Sequence, residues 1–220
     1  MSQETLLTVS LFFSFAAYPV YAYGIYREGA RPTRPTWIMI LITDLLLFYY
    51  MWLEARWDWL LLGYTAGNLV MLAIMAWSDI QRALRNTGRR FLGWHETTLL
   101  AFLGRDQWTK KDVCSVGVAL SALALWGITG SGVMAICFSL AGKIEASVPM
   151  FINLYREPDR EKLLPWAMWG VGGLLYVLAI PSNEWRFVSL ATPILFVILE
   201  AIVITLLLRQ PKYRFAALAG

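Results

Sequence analysis

Charge is scarce in this chain. Only 15% of its 220 residues are Asp, Glu, Lys or Arg, against about 25% in soluble domains. A soluble domain is excluded, because nothing could cover the repeated apolar runs of helix length that make up the rest. Histidine occurs once, at His95, in a polar interval where it reads as a solvated loop residue. Its absence from every apolar segment argues against imidazole ligation of haem or chlorophyll. The two cysteines, Cys114 and Cys137, both fall in apolar helices and read as buried small hydrophobes, so no disulfide framework and no metal site is implied. No HExxH, no DxxxD pair and no serine elbow occurs. The dense interfacial clusters that a membrane enzyme needs are missing, and neither a catalytic residue nor a cofactor is expected. No nucleic-acid partner is expected either. The opening MSQETLL lacks a basic n-region and a small-residue cleavage site, so no cleavable signal peptide is expected.

What is present in quantity is apolar helix. Apolar residues make up 58% of the chain, including eleven Trp and ten Tyr. A bilayer core of about 30 Å takes roughly 20 helical residues to cross. On that measure the sequence reads as an all-α polytopic membrane protein with seven spans. They run from about Leu6 to Tyr26, Pro35 to Leu53, Trp59 to Trp77, Val113 to Ile128, Val133 to Tyr155, Leu163 to Ile180 and Phe187 to Leu208. Trp37, Trp52, Trp57, Trp77, Trp166 and Trp185 sit at segment ends, as interfacial belts require. The one long polar interval, 78–112, mixes Leu84, Phe91, Trp94 and Phe102 with arginines. It reads either as a basic cytoplasmic loop or as an interfacial helix on anionic lipid or a partner.

Basic residues fix the expected orientation. Sixteen of the nineteen fall in the intervals after spans one, three, five and seven, two (Arg56 and Arg186) fall on the other side, and Lys143 lies within span five. The positive-inside rule then places the N-terminus outside and the C-terminal tail, 209–220, in the cytoplasm, most simply of a bacterial inner or plasma membrane.

The chain also repeats itself. A helix with a late proline, a Tyr-Arg-Glu and a Trp that opens the next helix occur twice: Pro19, Tyr26-Arg27-Glu28 and Trp37, then Pro149, Tyr155-Arg156-Glu157 and Trp166. Tyr to Trp is eleven positions in both copies. Spans one to three (1–77) form one copy and spans five to seven (131–208) the other, with span four (113–130) joining them. Three spans invert the chain and the fourth restores it, so the copies run parallel. This 3+1+3 order of two parallel three-helix bundles and a linker helix resembles the SWEET and PQ-loop membrane proteins over nearly the whole chain. The family's Pro-Gln dipeptide is replaced by Pro19-Val20 and Pro149-Met150, which marks a divergent member. The resemblance implies alternating access, Pro19 and Pro149 as hinges, and a solute site between the bundles at mid-membrane. Proline kinks a helix by removing one backbone bond, which fits a hinge and a static bend equally.

Four ionisable residues stand where a membrane should exclude them: Asp44 in span two, Lys143 and Glu145 in span five, and Glu200 in span seven. Each costs about 2.5–3.5 kcal/mol at mid-helix unless it is paired or wet, so four at similar depth argue for one shared polar interior. Lys143 and Glu145, two apart, project in different directions, and Asp44 and Glu200 are the better partners for the lysine. The pair reads either as a proton- or substrate-responsive centre or as a pin for helix packing. Asn68 in span three resembles the substrate-contacting asparagines of the SWEET family, although interhelical hydrogen bonding also uses asparagine. Gly63 and Gly67 read as a close-packing face.

Two other classes are weighed. A retinal protein would carry its Schiff-base lysine in the last span, which holds Glu200 and no lysine. An accessory subunit of a larger membrane complex, with lipid, quinone or pigment against its aromatics, is the serious rival to a transporter. Lipid and a small solute are the expected partners, and assembly as a homo-oligomer or within a larger complex stays open.

Overall fold

The computed structural model describes residues 2–27, 30, 32, 34–53, 59–87, 93–103, 132–185 and 187–209, together with scattered positions between 113 and 129. Among them the chain is helical, without a strand. The long helices are α1 (Gln3–Arg27), α2 (Arg34–Leu53), α3 (Trp59–Thr87), α5 (Gly132–Arg156), α6 (Leu163–Ala179) and α7 (Phe187–Leu208), and α4 (Trp94–Leu103) is a short one packed on α3. Span four falls largely outside the described residues. The positions that are described there, such as Val116, Gly117, Leu120 and Ser121, are helical.

Three helices are long and apolar enough to cross a membrane among the described residues: Gln3–Arg27, Leu61–Thr87 and Ser189–Leu208. Leu163–Ala179 is equally apolar in kind but shorter. The polarity of the bundle is inside out. Ser10, Ser14, Thr43, Asp44, Asn68, Ser139, Lys143, Ser147 and Glu200 are buried, while Phe12, Phe15, Val70, Leu174, Leu178, Ile194 and Ile198 face outward. Water would penalise that arrangement, since soluble monomers rarely expose apolar patches beyond a few hundred Å².

Two boundaries differ from the sequence reading. The third helix does not stop at Trp77 but runs ten residues further, to Thr87. Between Gly67 and Gly88 there is no glycine or proline to end it. The extension is held by contacts: Arg34 of α2 pairs with Asp79 at 2.8 Å, and Arg82 donates to the Ile25 carbonyl at 3.4 Å. The interval 78–112 is therefore helix at its start and again at α4, where Trp94 and His95 are exposed. Pro19 and Pro149 both lie inside unbroken helices, the first exposed and the second half-buried.

Helix contacts follow a regular scheme. α1 packs on α3 and most extensively on α6, α2 packs on α3 and α5, and α7 packs on α5 and α6. Small residues permit the closest approaches. A Cβ at Gly172 would meet the Ser14 hydroxyl at 2.5 Å and the Ser10 carbonyl at 3.1 Å, and one at Gly142 would meet Thr43 at 2.9 Å. A Cβ at Gly63 or Gly67 would enter the rings of Phe15 and Tyr18, so both glycines serve as a packing face for α1.

Two hydrogen bonds tie these crossings. The Ser10 hydroxyl donates to the Gly172 carbonyl at 2.7 Å, and the Ser139 hydroxyl donates to the Thr43 carbonyl at 3.2 Å. Donors and acceptors are displaced by the same 129 positions (10 to 139, 43 to 172), the spacing that separates Tyr26 from Tyr155 and Trp37 from Trp166.

Candidate functional site

Lys143 and Asp44 meet at the α2–α5 crossing. Thr43 and Gly142, the residues just before them, are the pair in close approach. The missing side chain at Gly142 brings the two helices near enough for the next position on each to form a salt bridge. Lys143 Nζ donates to Asp44 Oδ1, and the side chains are 1% and 0% exposed. The second oxygen, Asp44 Oδ2, accepts from Asn68 Nδ2 at 2.6 Å. With its nitrogen turned to the carboxylate, Asn68 presents Oδ1 to the Tyr18 hydroxyl at 3.4 Å, and that hydroxyl also reaches the Tyr64 carbonyl at 3.3 Å. Four helices, α5, α2, α3 and α1, are thus joined by one buried polar chain.

Aromatic rings complete the surroundings. Lys143 Nζ lies 4.1 Å from the centroid of Phe196 on α7, within cation–π range. Phe196 in turn stacks on Tyr64 at 5.2 Å, and the Tyr64 and Ser14 hydroxyls are 3.3 Å apart. Trp37, Trp166, Trp169, Tyr18 and Tyr21 form a continuous cluster, and Trp169 Nε1 donates to the Ser14 carbonyl at 3.1 Å.

A cavity of about 60 Å³ opens among these groups. All six long helices line it: Tyr18, Trp37 and Ile40, Tyr64 and Asn68, Lys143 and Ser147, Trp166 and Trp169, Phe196 and Glu200. It is roomy enough to hold ordered water.

The sequence-level candidates divide cleanly. Asp44, Asn68 and Lys143 come together in direct contact, and Glu200 joins them on the cavity wall. Of the two expected partners for the lysine, Asp44 is the one it takes. Glu200 is 5% exposed and its Oε2 has no hydrogen-bond partner among the described residues. Glu145 is half-buried and stands away from the cavity, as the two-residue offset from Lys143 dictates. Pro19 and Pro149 do not line it. Tyr18, Tyr64, Ser147, Trp169 and Phe196 were not singled out by the sequence. Spacing could have found two of them: Tyr64 lies one turn before Asn68, and Ser147 one turn after Lys143, to whose carbonyl its hydroxyl donates at 2.8 Å.

A third buried acid carries no signal in the sequence. Glu161 follows the short 3-10 turn Pro158–Arg160 between α5 and α6, as its C-cap, and is 2% exposed. Trp166 Nε1 donates to its Oε2 at 3.3 Å, while Oε1 has no well-formed hydrogen bond. Burial pushes the carboxyl up to about 7, against the weaker pull of the nearby Tyr21 hydroxyl, Trp166 and Arg160. Among the described residues no group of three His, Cys, Asp or Glu side chains could hold a metal ion.

Compared with known proteins, the chain matches no family model, no curated protein and no solved structure.

Proposed function

We propose that this chain is a SWEET/PQ-loop-like transporter that moves a small solute by alternating access between two triple-helix bundles. In this reading α1–α3 and α5–α7 are the bundles, span four links them, and the centre lies at their seam. The observation that carries it is the Lys143–Asp44 pair. It crosses between the bundles and sits beside a cavity that every long helix lines. A pin between two helices would need neither the cavity nor the carboxyl of Glu200 beside it.

The packing scheme supports the parallel repeat. Exchanging α1 with α5, α2 with α6 and α3 with α7 turns each observed crossing into another observed crossing. The Ser10 and Ser139 hydrogen bonds exchange in the same way. Parallel repeats about an axis along the membrane normal are an established way to build a transporter. In that register Lys143 corresponds to Ser14 and Asp44 to Gly173. One seam therefore carries an ion pair and the other has a serine and a glycine at the equivalent positions, so the centre is asymmetric on a symmetric scaffold. The protein is read as integral to a bacterial inner or plasma membrane, N-terminus outside, with no enzymatic activity.

Reconstituted into proteoliposomes, the wild type is expected to take up a small solute, and Lys143→Ala or Asp44→Asn to abolish uptake. Normal uptake in both variants would remove the central site. An accessory subunit of a larger complex is the second reading, favoured by the outward rings of Phe12, Phe15, Tyr23 and Trp77. It requires co-purification in fixed ratio with other membrane subunits in mild detergent, and a monomeric preparation refutes it.

A further inference from the structure

One buried carboxyl on the cavity wall lacks a partner among the described residues. Lys143 is matched by Asp44, whose two oxygens are both taken, by the lysine and by Asn68. That leaves Glu200, buried on the cavity wall, with an oxygen that no described residue satisfies. A carboxylate withdrawn from water needs a partner that supplies charge, a donor, or both. Its own surroundings on α6 are glycines: a Cβ at Gly173 would come within 3.3 Å of Oε2, so that side is closed to a side-chain donor. The remaining wall is largely aromatic, with Tyr18, Trp37, Tyr64, Trp166, Trp169 and Phe196, and it also carries Ser147 and the Trp37 Nε1, which has no hydrogen-bond partner among the described residues. Ring faces attract cations, and Phe196 already holds one ammonium, that of Lys143.

We propose that Glu200 and this aromatic wall bind a small primary ammonium, so that the solute of the cavity is an amine in its cationic form. The inference rests on the reading of the cavity as the solute site. The volume of about 60 Å³ is enough to admit a small ammonium. The ammonium donates to the free carboxyl oxygen, and its alkyl group packs against the rings. Anions are disfavoured by Glu200, and neutral alcohols bring a donor without the charge.

The test is a titration of the purified full chain in detergent micelles with methylammonium chloride at constant ionic strength, read by tryptophan fluorescence. Trp37, Trp166 and Trp169 all line the cavity and report its occupancy. The expected result is a saturable change that methanol and sodium formate do not produce. Glu200→Gln, nearly isosteric, is expected to weaken it at least about tenfold, a loss of one charge-assisted contact. No saturable response in the wild type, an equal response in Glu200→Gln, or the same response to methanol would overturn the proposal. If Glu200→Gln does not elute as a folded species, Phe196→Leu decides: it keeps the carboxyl and removes one ring, and unchanged affinity overturns the aromatic half of the site. Methylammonium binding without protein-dependent uptake leaves this site standing and removes the transport reading. Uptake of a neutral solute without methylammonium binding does the reverse.

Discussion

Replacing Lys143 with methionine removes the charge and keeps most of the side-chain volume. What remains is Asp44, 0% exposed, with the Asn68 amide as its surviving donor. Removing one partner of a buried pair costs about 3–5 kcal/mol, because the other charge is left uncompensated. Insertion scales for a lone charge at mid-helix give a similar figure, about 2.5–3.5 kcal/mol. Against a typical total stability of about 5–15 kcal/mol, the variant should lose a large share of its folded margin. Asp44→Asn strands the lysine in the same way and should cost a comparable amount. The double variant, Asp44→Asn with Lys143→Met, leaves no charge and keeps an amide for Asn68, so it should fall within about 1 kcal/mol of wild type. The measurement is reversible unfolding in mixed micelles with increasing SDS, followed by far-UV circular dichroism. A coupling of at least about 3 kcal/mol between the two sites is expected. Single variants that each cost under about 1 kcal/mol, or costs that simply add in the double variant, would refute the buried pair. The double variant also separates folding from the proposed function: on the transporter reading it should fold and still fail to take up solute.

Three other outcomes follow from the geometry. Gly172→Ala puts a Cβ 2.5 Å from the Ser14 hydroxyl and 3.1–3.2 Å from backbone atoms of Ser10 and Ser14. It should lower the thermal midpoint by the equivalent of about 1–3 kcal/mol. Gly117→Ala, with nothing within 4 Å of the added carbon, should not lower it. Ser10→Ala and Ser139→Ala should each cost about 0.6 kcal/mol, equal between the two because the contacts are equivalent. Glu161 gives a pH signature. Its folded-state value of about 7 lies above the ordinary 4.5, so the folded protein holds that proton more tightly than the unfolded chain. Stability is therefore lost as pH rises from about 4.5 to about 7, by roughly 3 kcal/mol in all. Glu161→Gln should flatten this part of the pH–melting profile. A wild-type profile that instead rises between pH 5 and 7.5, with the variant parallel to it, would contradict the assignment.

The amino-acid sequence by itself determines the helical class, the apolar segments and the spacing of the repeat. These properties are written in local composition: helix-length apolar runs, and pairs such as Tyr26 with Trp37 and Tyr155 with Trp166 that recur at one spacing. It also marks Asp44, Asn68, Lys143 and Glu200, because a polar group in an apolar run is costly wherever the helix ends up. Tertiary structure decides what these residues do. Lys143 takes Asp44 because Gly142 lets α5 approach Thr43 on α2, a contact between residues about a hundred positions apart. Glu200 is left for the cavity because α7 faces the glycines of α6 there. Tyr18 and Trp169 were hidden among many aromatics, since nothing local distinguishes a ring that faces lipid from one that walls a site. Glu161 lay in a polar turn that composition marks as solvated, and it is buried only because the aromatic cluster of α1, α2 and α6 closes over it. Segments and costs are local properties and can be read along the chain. Partners depend on which helix faces cross, and only the packed bundle sets that.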